Sequence, residues 1–231
     1  MRTIIALSLL MALAVSSLAG CAGDDLSVTV KAALEKMEVT TYRCVEDQTL
    51  SGNSDTYLLT METDFAGPDR WRTRMVHPEH WKEVTVIEDR QYIRSDVSPE
   101  WQAIVPGDDP VSISELVYSA PWTSLLSAAY LQATSFKSAG TEGIEGASCR
   151  VYTGNVDVNQ IRKQNSEDWK DVSSVSHRVW IDLDGYVRQI ETEVEYNRDV
   201  EIYSGIYTSM HSTTSIYDLN AVITIEEPDV A

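Results

Sequence analysis

Basic residues are scarce in this chain: 18 Lys and Arg face 36 Asp and Glu, for a formal net charge of −18. That balance excludes electrostatically driven binding to nucleic acid or to an anionic membrane surface, both of which repel an acidic partner. Phenylalanine is nearly missing, with 2 residues, which counts against a cavity walled by aromatic rings. Cysteine is limited to 3. The longest apolar run, residues 3–15, is too short for a membrane-spanning helix. Signatures of catalysis are missing as well. There is no Gly-x-Ser-x-Gly elbow, no Gly-rich phosphate loop and no His-Glu-x-x-His. The chain therefore reads as a protein that is not an enzyme and uses no cofactor. It has no internal repeat, low-complexity tract or linker.

What the chain does contain begins at its N-terminus. Met1 and Arg2 precede the apolar run, and small residues follow it in the stretch SSLAGCAGDD (16–25). One positive charge, a short apolar core and a small-residue exit describe a secretory signal peptide. Leu18-Ala19-Gly20-Cys21 resembles a bacterial lipobox. The resemblance implies diacylglycerol on the Cys21 thiol, removal of residues 1–20, and an acylated cysteine as the new N-terminus. Residues 21–26 then form a tether, and 27–231 a single domain large enough for a sizeable core. Loss of Arg2 leaves 17 basic against 36 acidic residues. The lipid, at about 0.8 kcal/mol per buried CH₂, would hold the protein on the extracytoplasmic face of a bacterial membrane.

Two cysteines remain, Cys44 and Cys149. In an exported protein such a pair is expected to form a disulfide, closing a loop of roughly 100 residues worth about 4–5 kcal/mol in the chain-entropy model. The alternative is two buried free thiols, which pack as small hydrophobes.

Periodicity sets the architecture. Val30, Ala33, Leu34 and Met37 mark a helix over 27–39. The period then changes to two. Tyr57, Leu59, Met61, Thr63 and Phe65 alternate with Leu58, Thr60, Glu62 and Asp64, and Trp71, Thr73 and Met75 with Arg70, Arg72 and Arg74. Further strands are expected near 82–88, 90–95, 100–105, 134–141, 147–154, 203–217 and 221–226. Asp184-Gly185 centres a hairpin. Capping-box patterns at Ser112–Glu115 and Asp157–Gln160 open helices. A further apolar helix, carrying Trp122, Leu125 and Leu126, starts near Pro121. The sum is an α+β domain: a large antiparallel sheet of about ten strands with helices on one face.

Three stretches carry a family resemblance: ALEKMEVTTYRC (33–44), GIEGASCRVYTGNVDVNQI (143–161), and VWIDLDGYVRQIE with YDLNAVITIEEP (179–191 and 217–228). Behind a lipobox, they resemble the bacterial lipoprotein-carrier superfamily of LolA, LolB and the LppX/LprG lipoproteins. The resemblance implies an incomplete, curved β-barrel whose concave face is covered by helices, with an apolar cavity between. Its candidate wall is Leu59, Met61, Phe65, Trp71, Met75, Trp122, Leu125, Leu126, Ile190 and Val194. The same residues equally suit a plain core. The implied function is binding or carriage of a lipid or other amphiphile. The rival is an envelope sensor or protein-interaction module that uses its concave face on a protein partner. His77 and His80, spaced like metal ligands, read as a solvated turn. The row Glu191, Glu193 and Glu195 reads as the wet side of a strand.

Overall fold

The computed structural model describes residues 25–53, 56–104, 132–163, 169–202 and 205–230. Helix α1 (Asp25–Glu38) forms on the expected stripe, beginning two residues earlier than its periodicity indicates. Val30, Ala33, Leu34 and Met37 are all buried. From there the chain is a meander: β1 (Tyr42–Ser51), β2 (Thr56–Gly67), β3 (Arg70–Val76), β4 (Trp81–Ile87), β5 (Arg90–Ser95) and β6 (Gln102–Ile104). After the 105–131 segment come β7 (Thr134–Ile144), β8 (Ala147–Val156), α2 (Val158–Arg162), β9 (Val172–Asp182), β10 (Val187–Ile202) and β11 (Gly205–Tyr217).

All strand pairs are antiparallel, and they form one eleven-stranded sheet in the order β6-β5-β4-β3-β2-β1-β11-β10-β9-β8-β7. The sheet starts in its own middle. β1 pairs with β2 on one side and with the last strand, β11, on the other. Among the described residues β6 and β7 are the edges, so the barrel is curved but not closed. Register breaks on β2, β7 and β10 add the local twist and bend that such curvature needs.

Alternation gives each strand one inner side, beneath α1, and one outer side. α1 packs on β7, β9 and β10. Its buried stripe joins Tyr42, Cys44, Phe136, Tyr152, Val175, Val179, Ile190, Val194 and Ile216 in the main core. The Lys36 ammonium ties the C-terminal end of α1 to the β9–β10 turn, donating to the Asp184 carbonyl at 2.6 Å and lying 3.5 Å from the Tyr186 ring centre. That turn holds Gly185 at φ +82°. The Asp182 carboxylate stabilises it by accepting from the Asp184 and Tyr186 amides and from Arg188. α2 is short. Asp157 caps it, accepting from the Gln160 amide at 3.1 Å. Among the described residues no helix is long and apolar enough to cross a membrane.

Two expectations are corrected. The Cys44–Cys149 bridge does not form: both are buried free thiols. β1 and β8 are separated by three strands, and alternation puts the cysteines on opposite faces. Cys44 lies in the inner core, while Cys149 packs outside with Val151 and Trp180. Burial pushes the Cys44 thiol up to about 12 and also raises that of Cys149. Alkylation in denaturant without reductant is therefore expected to block both thiols, and native protein to resist it. Labelling that requires reductant would restore the bridge.

The second correction concerns residues 221–226, which pair with no strand. They run as an extended strap over the outer face. The strap is held by Thr41 on the Ala221 carbonyl, by Arg70 on the Ile225 carbonyl, and by Arg90 and Tyr92 on Glu227. Ile225 is buried beneath it. Side-chain anchors replace the ladder that its apolar alternation indicated. The helices expected at Ser112–Glu115 and from Pro121 lie outside the described residues.

Candidate functional site

The inner face is divided into zones. Beneath α1 it is filled. Phe65 stacks on Tyr42 with ring centres 4.7 Å apart, and Ile190 and Val194 belong to the same packed core. On the far wing, Trp71 and Met75 pack with Val84, Val86 and Ile93 in a second, smaller cluster. Cross-strand register explains the grouping: Trp71 faces Val86, and Val84 faces Ile93.

A polar seam crosses the main core, where alternation alone would put apolar side chains. His177, Thr192, Ser212, Gln48 and Glu46 occupy inner positions on β9, β10, β11 and β1, in or next to one cross-strand row. Neighbouring members bond to each other. His177 Nδ1 lies 3.0 Å from the Thr192 hydroxyl, and the Ser212 hydroxyl hydrogen-bonds Glu46. Glu46, His177 and Ser212 are buried, Glu46 6% and His177 5% exposed, while Gln48 and Thr192 are half-buried. Desolvation pushes the Glu46 carboxyl up to about 7 and the His177 imidazole down to about 4. Both shifts favour the neutral form, the expected response to burial in a low-dielectric site. Glu46 Oε2 is buried without a hydrogen-bond partner.

Beside the second cluster lies a cavity of about 350 Å³, within the range of small-molecule sites. Tyr57, Leu59 and Met75 line it from the inner face of β2 and β3, with Lys82 opposite Met75 and Ser95 opposite Lys82 in the ladder. His77, His80, Trp81, Asp96 and Val97 complete the wall where the β3–β4 turn meets the end of β5. The two histidines expected to form a solvated turn do so, with reciprocal backbone bonds between His77 and His80. Each ring has its own task. His77 stacks on Tyr57 at 4.3 Å between centres. His80 Nδ1 lies 2.8 Å from Asp96 Oδ2, which raises the histidine and lowers the aspartate. Asp96 Oδ1 accepts from the Trp81 amide at 3.3 Å. The wall is thus apolar at Tyr57, Leu59 and Met75 and polar at Lys82, Ser95, His80 and Asp96, which suits a ligand with one end of each kind.

Of the residues expected to line a cavity, Leu59 and Met75 do so. Met61 is buried beside Glu46 and Met75 in the ladder, Trp71 packs in the second cluster, and Phe65, Ile190 and Val194 fill the core. Cys21, Trp122, Leu125 and Leu126 lie outside the described residues. Sequence reasoning missed Tyr57, Trp81, Lys82, Ser95, Asp96 and Val97 as lining residues. One signal was present: in WKEVTVI, Lys82 shares its alternation with Val84 and Val86, a cation on an otherwise apolar side.

The outer face explains the remaining charged rows. Arg72 bonds Asp64 at 2.6 Å and lies 3.8 Å from Glu83, whose other oxygen takes Arg94 at 2.6 Å. Arg74 lies over the Trp81 ring instead. Glu193 and Glu195 are exposed. No group of three or more His, Cys, Asp or Glu able to hold a metal occurs among the described residues.

No protein-family model matches the sequence, and no curated protein matches it. Solved structures similar to this chain include the lipoprotein LppX of Mycobacterium tuberculosis, at 16% identity over 87% of this chain and 96% of that one, TM-score 0.49. LprF from Mycobacterium bovis is similar at 11% identity over 90% and 99%, TM-score 0.48. The LolA superfamily protein NE2245 from Nitrosomonas europaea is similar at 8% identity over 86% and 94%, TM-score 0.32. At these identities the likeness is one of fold alone.

Proposed function

We propose that this chain is an extracytoplasmic lipoprotein, anchored through lipid on Cys21, that binds an amphiphile at the inner face of its open barrel. One observation carries the reading: a cavity of about 350 Å³ with an apolar floor of Leu59, Met75 and the Tyr57 ring, and a polar rim. An apolar chain buried there would contribute about 25 cal/mol per Å² removed from water, while the rim keeps a headgroup hydrated. Binding requires no bond making, so the protein acts by capture and release. The filled core beneath α1 confines the ligand to the β2–β5 wing and favours one chain or part of a chain over a large multi-chain lipid.

Two results test the proposal. Cys21→Ser is expected to move the protein from the membrane fraction to the soluble fraction; continued need for detergent would contradict the anchor. Leu59→Trp, which fills the cavity floor, is expected to abolish uptake of a fluorescent fatty-acid analogue that the soluble parent takes up. Equal uptake by both proteins would place binding elsewhere. Failure of the parent to take up any amphiphile would favour recognition of a protein partner.

A further inference from the structure

We propose that Lys82 is the headgroup site of this cavity, and that the amphiphile it selects carries an anionic oxygen group, a carboxylate or a phosphate. The inference rests on the amphiphile reading above and adds the chemical class of the ligand. Lys82 lies on the inner side of β4, between Met75 and Ser95 in the ladder. Its half-buried side chain forms part of the cavity wall.

The charges around the cavity do not cancel. Asp96 is the acidic side chain of the wall, and its two oxygens are engaged by His80 and by the Trp81 amide. His80 and Asp96 form an ion pair when the histidine is protonated. Lys82 makes no hydrogen bond or ion pair among the described residues. Glu83, the next residue along, points to the outer face, where Arg72 and Arg94 hold it.

Lys82 is the lysine of this cavity wall. The chain carries twice as many acidic as basic residues, and Arg43, Arg72, Arg90, Arg94, Arg178, Arg188 and Arg198 are all paired with carboxylates. A ligand that supplies an anion at the rim gives this ammonium a counter-charge and forms a charge-assisted hydrogen bond. The same site disfavours a chain ending in a neutral hydroxyl, which offers no counter-charge. Leu59 and Met75 take the chain, and Lys82 takes the head.

The experiment is titration calorimetry on soluble full chain carrying Cys21→Ser, with dodecanoate, dodecanol and inorganic phosphate, alone and combined with Lys82→Met or Lys82→Arg. Dodecanoate is expected to bind about tenfold or more tighter than dodecanol, the scale of one hydrogen bond to a charged group. Lys82→Met should erase that preference by weakening dodecanoate, and Lys82→Arg should keep most of it. Phosphate alone should bind far more weakly than dodecanoate. Equal binding of dodecanoate and dodecanol by the parent would overturn the headgroup assignment and leave the amphiphile reading standing. Phosphate binding as tight as dodecanoate would overturn it in favour of a free-anion site. If neither dodecanoate nor dodecanol binds, both the assignment and the reading it rests on fail.

Discussion

At pH 8 the Glu46→Gln protein is expected to be more stable than its parent by on the order of 3 kcal/mol. Glu46 is buried, and its carboxyl is pushed from the ordinary 4.5 to about 7 in the folded state. Between those values the folded chain holds a proton that the unfolded chain has released. Stability therefore falls as pH rises through the window, and above about 7 the full cost of a buried carboxylate is present. Gln keeps the shape and removes the charge.

His177 acts in the opposite direction. Its imidazole is pushed from the ordinary 6.5 down to about 4 by burial, so the unfolded chain takes up a proton that the folded chain refuses. Stability falls as pH drops from 6.5 towards 4, again by on the order of 3 kcal/mol. Between pH 4.5 and 6.5 the two slopes oppose each other and nearly cancel in the parent. Each variant uncovers the slope of the other residue. Glu46→Gln should lose stability on acidification below 6.5, and His177→Gln should lose stability from 4.5 up to 7. Urea unfolding at pH 4.5, 5.5, 6.5 and 8 reads both. Parallel curves for parent and variants would mean that the seam is solvated and the two groups titrate normally.

Leu34→Ala is expected to cost about 2–5 kcal/mol, the usual range for truncating a buried leucine whose surroundings cannot collapse. Leu34 is 1% exposed in the core that joins α1 to β7, β9 and β10. In a domain of this size the loss lowers Tm by roughly 10 °C. Val28, on the same helix but 61% exposed, is the control, since Val28→Ala should stay within about 0.5 kcal/mol of the parent. An effect of Leu34→Ala as small as that of Val28→Ala would mean that α1 does not pack on the sheet.

These residues also mark what was legible in the sequence. The stripe Val30, Ala33, Leu34 and Met37 was plain because a period near 3.6 separates a buried side from a wet one. The alternation of β2 and β3 was plain for the same reason, and register confirmed it by pairing Phe65 with Trp71 and Met61 with Met75. Alternation, however, says which side of a strand is buried and not what lies opposite. So Phe65, Ile190 and Val194 looked like cavity wall but pack in the core, while Leu59 and Met75 line open space. Long-range order was also hidden. Nothing local reveals that β1 sits mid-sheet with β11 beside it, which is the fact that keeps Cys44 from Cys149. The seam is half visible in the sequence, because the strand 207–217 is rich in hydroxyl residues. Glu46 and His177 do not stand out there, because each becomes conspicuous only when strands distant in sequence align. Lys82 escaped notice because the loops that complete its cavity converge only in the folded chain.

The most direct test of the central claim is native mass spectrometry of Cys21→Ser protein purified from a bacterial host without detergent. The account predicts a co-purified mass in the lipid range that organic solvent extracts, and that is missing when Leu59→Trp is added. A clean ligand-free mass, with no uptake of added amphiphiles, would contradict it and leave the inner face as a surface for a protein partner.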